Sequence, residues 1–594
     1  MKTPSPPILP PRALHWSIAA STAAAISYAD RGTSAIAASS LLDELHWNES
    51  QLGQVQSAFF VGYALTQVFG GVMGGRSSSS SSVTTTTTDA TTDVDAYNSI
   101  EIDHGSDNVD INSDAAISTL SSPSTTQHQT KRHEGFRRIL PLSLVLTGIT
   151  TFLFPMAAMA GPNWAILDRF SLGLLEGVLL PAAMAGVSTT TASSSSVDAM
   201  FASDARITTT TSTTSEERNT FISGKNQDIK ATASAILIAG CYLGSAWAYL
   251  SAWLIFSETS QLHLAQWGLL QHDTSSSVWP LLFYINGILS LVVTAMFSSE
   301  FDLSVGWRNN RSDSTSNSMV SEESTNTVLS STMVIVKDAI AIAKETLSSK
   351  SGRAIVAAQI GQGALLYSIA SWGPLYLERI ADASTIIAAA AAVDASSSSF
   401  VSSTAVAASI AASSLIVPQI TQALIGLSIG VGADKLSSKI GSRLTRRSLQ
   451  LISGVGPAMI LLYLSFLASV GSSGDETTFQ APAFLFGAAQ TISAISLGAV
   501  SVSHLEVSST PSKAGAVYAL GNVFAAISGS ITVTLFGILL DNDGQQAATS
   551  DFSLPFQIVA LLSMAGSVFY SLSIESDVEI GMQESKKRLQ YKSR

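Results

Sequence analysis

Twelve stretches of roughly 20 mostly apolar residues, strung along one chain of 594, constrain this sequence more than any other feature. Each is long enough to cross the hydrocarbon core of a bilayer as a helix. A helix is the form a lone crossing segment takes, because its backbone groups find no water there. The first six run over about 13–37, 52–75, 139–160, 163–187, 231–256 and 279–298. The other six run over about 354–377, 412–433, 448–470, 481–504, 514–540 and 553–574. Spans 8 and 11 are the most diluted, by Gly, Ser and Gln. Charged residues are 12% of the chain, half the ~25% of a soluble domain. That is too few to coat a water-facing surface of this size. The expected fold is all-α: a polytopic membrane protein of twelve transmembrane helices with polar loops inserted.

Basic residues fix the expected orientation. With the N-terminus in the cytoplasm, an even span count returns the C-terminus there. Arg31 and Arg169 then lie inside spans, and of the remaining Lys and Arg only Arg379 falls in an outer loop. The outer loops hold acids instead, among them Asp43, Glu44, Glu49, Asp273, Asp475 and Asp541. Lys2, Arg12 and the apolar run from Ala13 could pass for a signal peptide. Asp30-Arg31 stands where a small-residue cleavage site would be, so a retained first span is expected.

Polar tracts interrupt the spans. Residues 77–130 are almost all Ser, Thr, Asp and Asn. Such a stretch cannot bury enough apolar surface to offset its chain entropy, and disorder is expected there. Residues 188–215 form a second tract and 309–327 a third, all on the cytoplasmic side. A fourth, 381–411, is Ala/Ser-rich and lies outside; its apolar piece 385–393 is too short to cross. Loop expansion is the simplest reading of these tracts. Asn48-Glu49-Ser50 is a glycosylation sequon in an outer loop, close to span 2.

Several functions are excluded or disfavoured. A net charge of −12 argues against nucleic-acid binding. One cysteine, Cys241, rules out an intrachain disulfide framework and any multi-thiolate metal site. His46, His263 and His272 lie in loops without metal-ligand spacing. No metal or other cofactor is expected. No credible nucleophile–base pair falls in a span, which argues against an intramembrane enzyme. The Gly70-Gly71 and Gly74-Gly75 pairs lack the Lys-Ser/Thr of a phosphate loop and read as close helix packing. Trp247, Trp253, Trp279 and Trp372 read as core or interface anchors rather than a ligand cage. His504 is either a cavity titrator or a packing histidine, and Glu506 solvates the end of span 10.

Charges inside the membrane are costly and mark function, at roughly 2.5–3.5 kcal/mol for Arg or Asp near a helix centre. The sharpest are Arg31 in span 1, and Arg169 and Glu176 in span 4. Both arginines fall six residues to the outer side of their span midpoints, or ~9 Å along a helix. They therefore sit at about one depth. Glu176 follows Arg169 by seven residues, close to two turns, and so shares its stripe one layer deeper. Two guanidinium groups at one level suit an anion, whose carboxylate or phosphate geometry they match. A carboxyl beneath them, in low dielectric, could carry a proton. Pairing of Arg31 with Asp30, or of Arg169 with Asp168, is the structural alternative. It would be strained between helix neighbours about 100° apart.

At these residues the sequence resembles the anion:cation symporter family of the major facilitator superfamily. This group includes sodium/phosphate cotransporters, vesicular glutamate transporters and sialin. The resemblance lies in Tyr28-Ala29-Asp30-Arg31, in the run from Gln56-Ser57-Ala58-Phe59-Phe60 to Gln67, and in Arg169-x6-Glu176-Gly177 with Pro181. It continues through Tyr242-Leu243-Gly244-Ser245, Trp279-Pro280, Tyr367-x4-Trp372-x-Pro374, and His504-Leu505-Glu506. Ala514-Gly515 to Gly521-Asn522 completes it. The resemblance implies two six-helix halves. These would cover 1–298, with inserts 77–130 and 188–215, and 354–574, with insert 381–411. A cytoplasmic central loop at 299–353 would join them, and 575–594 would be a cytoplasmic tail. It implies alternating access around a central site lined by spans 1, 4, 7 and 10. By the same resemblance Arg31 and Arg169 contact the substrate anion, Glu176 takes part in proton coupling and Tyr367 lines the cavity. Gly71-Val72-Met73-Gly74-Gly75-Arg76 lacks the acidic residue that the family has at the inner latch, whereas the second half keeps it as Asp434. Arg76 and Asp434 are the gating candidates. Gln56 replaces a histidine of the animal glutamate carriers, and Leu172 a second acid of sialin-like members. The wording is closest to the plant and algal phosphate/anion branch. The implied function is secondary transport of an anion, inorganic phosphate first, coupled to H+ or Na+, by a monomer in a lipid bilayer. An organic-anion carrier, or a non-transporting receptor or scaffold of the same fold, is the alternative.

Overall fold

The structure, a computed structural model, describes residues 11–79, 134–183, 215–257, 260, 278–296, 336–337, 339–391, 403–470, 479–507, 511–542 and 552–575. These residues are helical almost throughout, with no strand among them. All twelve expected spans are present as helices. The first half holds Pro11–Ile36, Glu49–Ser79, Glu134–Ala160, Pro162–Gly177, Ser215–Phe256 and Trp279–Met296. The second holds Lys350–Ala391, Ser403–Ile440, Ser442–Val470, Gln480–Ser493 with its continuation, Pro511–Asn542 and Ser553–Ser573. They are called spans 1 to 12 below. Among the described residues, nine helices are long and apolar enough to cross a membrane by composition alone. Spans 1, 2 and 4 lie outside that set. Spans 1 and 4 carry the intramembrane charges, and the span 4 helix is only 16 residues long.

Local sequence explains several ends. Asn48 Oδ1 accepts from the Gln51 backbone N–H at 2.8 Å, while Gln51 Oε1 accepts from the Asn48 N–H at 3.0 Å. This reciprocal cap starts span 2 and occupies the sequon side chain. Gly161, at φ 127°, makes the left-handed turn between spans 3 and 4, and Pro162 opens the next helix. Span 10 breaks into a 3₁₀ stretch, Ala494–Gly498, before resuming at Val500–Val507. The break frees carbonyls, and Arg446 Nη1 donates to Gly498 O at 2.7 Å from span 9.

Span 8, expected to be marginal, is a continuous helix of 38 residues. The outer tract 381–411 also differs from the expectation. Span 7 runs on to Ala391 and span 8 begins at Ser403, so both flanks are helix. Alanine is the best helix former, and that propensity shapes the flanks. The tracts 80–133, 184–214 and 309–327, and the tail from 576, lie outside the described residues. Part of the central loop, 339–348, is helical.

Small residues let the spans approach. Gly62 of span 2 rests on the Phe170 carbonyl, and Gly173 of span 4 on the Phe59 carbonyl. Gly240 and Gly244 of span 5 sit on the Ser21 and Ala25 carbonyls of span 1. This small-residue pairing at i, i+4 is how membrane helices gain packing without a hydrophobic driving force. The two halves meet along span 2 with span 11 and span 5 with span 8. Gly53 faces the Val533 carbonyl and Gly537, and Ser530 Oγ donates to Ser57 O at 3.3 Å. At the expected outer end, Arg379 Nη2 pairs with Glu49 Oε1 at 2.8 Å, joining span 7 to the start of span 2. Trp279 and Trp372 are fully buried, whereas Trp247 and Trp253 are exposed on the perimeter as anchors.

Gly173→Leu should overpack the span 2–span 4 contact by ~1–3 kcal/mol or more. Loss of monodisperse protein and a lowered melting temperature in detergent would register it. Gly430→Ala, at a site facing open space, should melt like the parent.

Candidate functional site

Helix periodicity brings Ser27 and Arg31 to one face of span 1, and Arg169 and Glu176 to one stripe of span 4. Packing of these faces builds the site. Arg31 Nε donates to Glu176 Oε2 at 3.2 Å, and Ser27 Oγ donates to the same oxygen. Arg31 Nη2 also reaches Ser27 Oγ at 3.4 Å. The carboxylate is fully shielded and the guanidinium nearly so, at 0% and 13% side-chain exposure, so neither is neutralised by water. Arg31 is further held by ring faces. Its guanidinium carbon lies 4.4 Å from the Tyr28 centroid, 4.6 Å from Phe59 and 4.5 Å from Tyr63. Desolvated cation–π contacts of this kind are worth up to ~2 kcal/mol or more each.

Arg169 is buried differently. Its guanidinium stacks over Phe154 at 3.9 Å and lies 5.3 Å from Phe283. Its Nε and Nη2 have no hydrogen-bond partner. Its charged neighbours are Asp168, Asp30 and Glu176, in falling order of influence. Asp30 is fully buried beside Glu176 and Arg169 and makes no ion pair with Arg31. The neighbour-pairing alternative for Arg31 therefore gives way to a pairing between helices.

Arg31 and Arg169 line one cavity of about 210 Å³, together with Tyr367 and Gln56. That volume lies below the ~300–1,000 Å³ of drug-sized clefts and suits a small solute. Tyr367 packs against Phe60 across the two halves, with centroids 4.4 Å apart. Glu176 sits behind the arginine, outside the lining. His504 also stays off the lining, with its ring 4.8 Å from that of Tyr518, which does line it. Helical placement is described for Arg76 and Asp434, but their side chains lie outside the described residues.

Sequence reasoning missed a row of amides. Gln359 and Gln362 on span 7, Gln419 and Gln422 on span 8, and Gln490 on span 10 all line the cavity. Two of the pairs are spaced i, i+3, a helical stripe that was legible in the sequence. No group of His, Cys, Asp or Glu suited to a metal ion occurs among the described residues.

No protein-family model and no curated protein matches the chain. Solved structures do match its fold. The inward-open xylose transporter XylE from E. coli aligns over 96% of this chain and 99% of its own, at 10% identity and a TM-score of 0.51. A point mutant of the nucleoside transporter NupG aligns over 94% of this chain and 100% of its own, at 13% identity and a TM-score of 0.50. Identity this low carries no substrate and no subfamily. What the chain shares with these proteins is the major facilitator fold, twelve membrane helices in two six-helix halves.

Proposed function

We propose that the chain is a secondary active transporter that carries a small anion by alternating access, with Glu176 as carrier of a coupled proton. The observation that carries this reading is the supply of Arg31 and Arg169, from two different spans, to one cavity between the halves. The fold shared with a xylose and a nucleoside transporter supports a transport role. Inorganic phosphate is the cargo that the sequence resemblance suggests and the first probe to use. Both termini are assigned to the cytoplasm by the distribution of basic residues.

Charge accounting supplies the coupling. Without cargo, Arg31 is neutralised by Glu176. An anion entering the cavity competes for the same guanidinium. The carboxylate it displaces would be left buried and unpaired, which costs several kcal/mol, on the order of 3–5 for a broken buried pair. A proton removes that cost, so anion and proton load together. Arg169 offers unpaired donors to the same anion without giving up a partner. On the outer side the Glu49–Arg379 pair ties the halves shut and must open once per cycle.

Reconstituted protein should accumulate labelled phosphate under an imposed proton gradient. Arg31→Ala and Arg169→Ala should abolish uptake. Glu176→Gln should retain anion exchange while losing its proton dependence. Uptake by both arginine variants at the parent rate would remove the site; a dependence on Na+ alone would remove the proton role of Glu176.

Arg379→Ala should weaken outer closure. Cys241, which lines the cavity, then becomes the reporter. Its labelling by a membrane-impermeant thiol reagent from outside should rise on the order of two- to fivefold, the scale of one partly exposed ion pair.

A further inference from the structure

Exposed apolar side chains on the spans face lipid and need no further partner. The linker between the halves carries three that do. Residues 336–337 and 339–348 are helical and precede span 7. Val336 is 40% exposed, Ile340 62% and Leu347 38%. At about 100° per residue these three fall within one narrow stripe of the linker helix. Lys337 and Lys344, both exposed, flank the stripe about 40–60° beyond Ile340. The other side is turned inward: Thr346 is buried, and Ala339, Ile342, Ala343 and Glu345 are half-buried. The exposed face therefore carries two positive charges and, among the described residues, no negative one. Asp338 lies outside the described residues.

Span 7 does not continue this helix. Arg353 Nη1 donates to the Leu347 and Ser348 carbonyls, each at 3.0 Å, and so caps its end. Ser349 Oγ accepts from the Gly352 N–H at 2.9 Å and caps the start of span 7. The Thr346 carbonyl lies against Gly352. Six residues of unbroken helix would hold those two ~9 Å apart, so the chain turns sharply at Ser349. The apolar stretch of span 7 begins near 354. The end of the linker helix is thus within ~9 Å of the hydrocarbon edge, in reach of the headgroup layer.

A helix with an apolar stripe, flanking lysines and a polar remainder suits the plane of a membrane interface. Lysine stems cover the edge of the stripe, while their ammonium groups reach headgroup phosphates. An anionic leaflet supplies the charge that two lysines on a face without a carboxylate call for.

We propose that the linker helix docks on anionic phospholipid headgroups of the cytoplasmic leaflet. Val336, Ile340 and Leu347 enter the interface, and Lys337 and Lys344 contact phosphates. The contact is independent of the cargo, and it pins the link between the halves to the membrane surface.

Spin-label accessibility in the full-length protein tests this. A nitroxide on Ile340→Cys, in a Cys241→Ser background, is read in vesicles of phosphatidylcholine alone and in vesicles with about one third phosphatidylserine. In the anionic vesicles oxygen should reach the label more readily than a neutral nickel chelate does. In the neutral vesicles the chelate should gain. Each lysine beside an anionic surface is worth about fivefold in the ratio of docked to free helix. Lys337→Gln with Lys344→Gln should therefore lower that ratio on the order of twentyfold in anionic vesicles, with melting temperature as the check on folding. Equal accessibility in the two vesicle types overturns the proposal. So does an accessibility pattern that the folded double variant leaves unchanged. A label that neither reagent reaches means that protein covers the stripe, and that outcome overturns it too.

Discussion

A buried charge is costly without a partner, and the packing of spans 1, 2, 4 and 5 brings Arg31 to Glu176. Glu176 lies on a helix packed deep inside the first half, with Arg31 across from it at 3.2 Å. To bring the two together, span 1 must press close on span 5 and span 4 on span 2. Gly240, Gly244, Gly62 and Gly173 remove the side chains that would prevent it. The aromatic rings of Tyr28, Phe59 and Tyr63 then enclose the guanidinium. Protein encloses the pair on most sides, with Glu176 fully shielded and Arg31 open only toward the cavity it lines. Packing and electrostatics are here one design, in which a bulky substitution at Gly173 would disturb the charge site as well as the fold.

The fold was largely legible because membrane crossing leaves a coarse signature. A run of roughly 20 apolar residues is hard to disguise. A fixed rise per residue suggested one depth for Arg31 and Arg169, and the structure brings both to the lining of one cavity. What helix arithmetic could not give was the rotation of one helix against another. It left open whether Arg31 turned to Asp30 or to Glu176, and packing decided for Glu176. The break in span 10 was hidden because Ala494–Gly498 reads as ordinary apolar sequence. The amide wall was missed for a different reason. Glutamine is cheap to bury when its partners lie on other helices, and those partners, such as Ser493 for Gln362, are distant in sequence. Its i, i+3 repeats were visible but were overshadowed by the charges.

The two halves divide the labour. Among the described residues lining the cavity, the first half supplies both arginines, while the second presents amides and Tyr367. Between them, spans 2 and 11 meet through Gly53 and Gly537 at one end, where Glu49 and Arg379 also join. In the proposed cycle, a rocking motion about such an interface would change access without dismantling either wall. On the proposed transport reading, that separation would keep the charge chemistry within the first half.

The central claim is an exchange of partners: anion for Glu176 on Arg31, and proton for Arg31 on Glu176. Infrared difference spectroscopy on the purified protein reads the second step directly. Addition of a binding anion at neutral pH should produce a protonated-carboxyl carbonyl band, and that band should be missing from Glu176→Gln. An anion that binds with no such band, or with the same band in Glu176→Gln, would contradict the account.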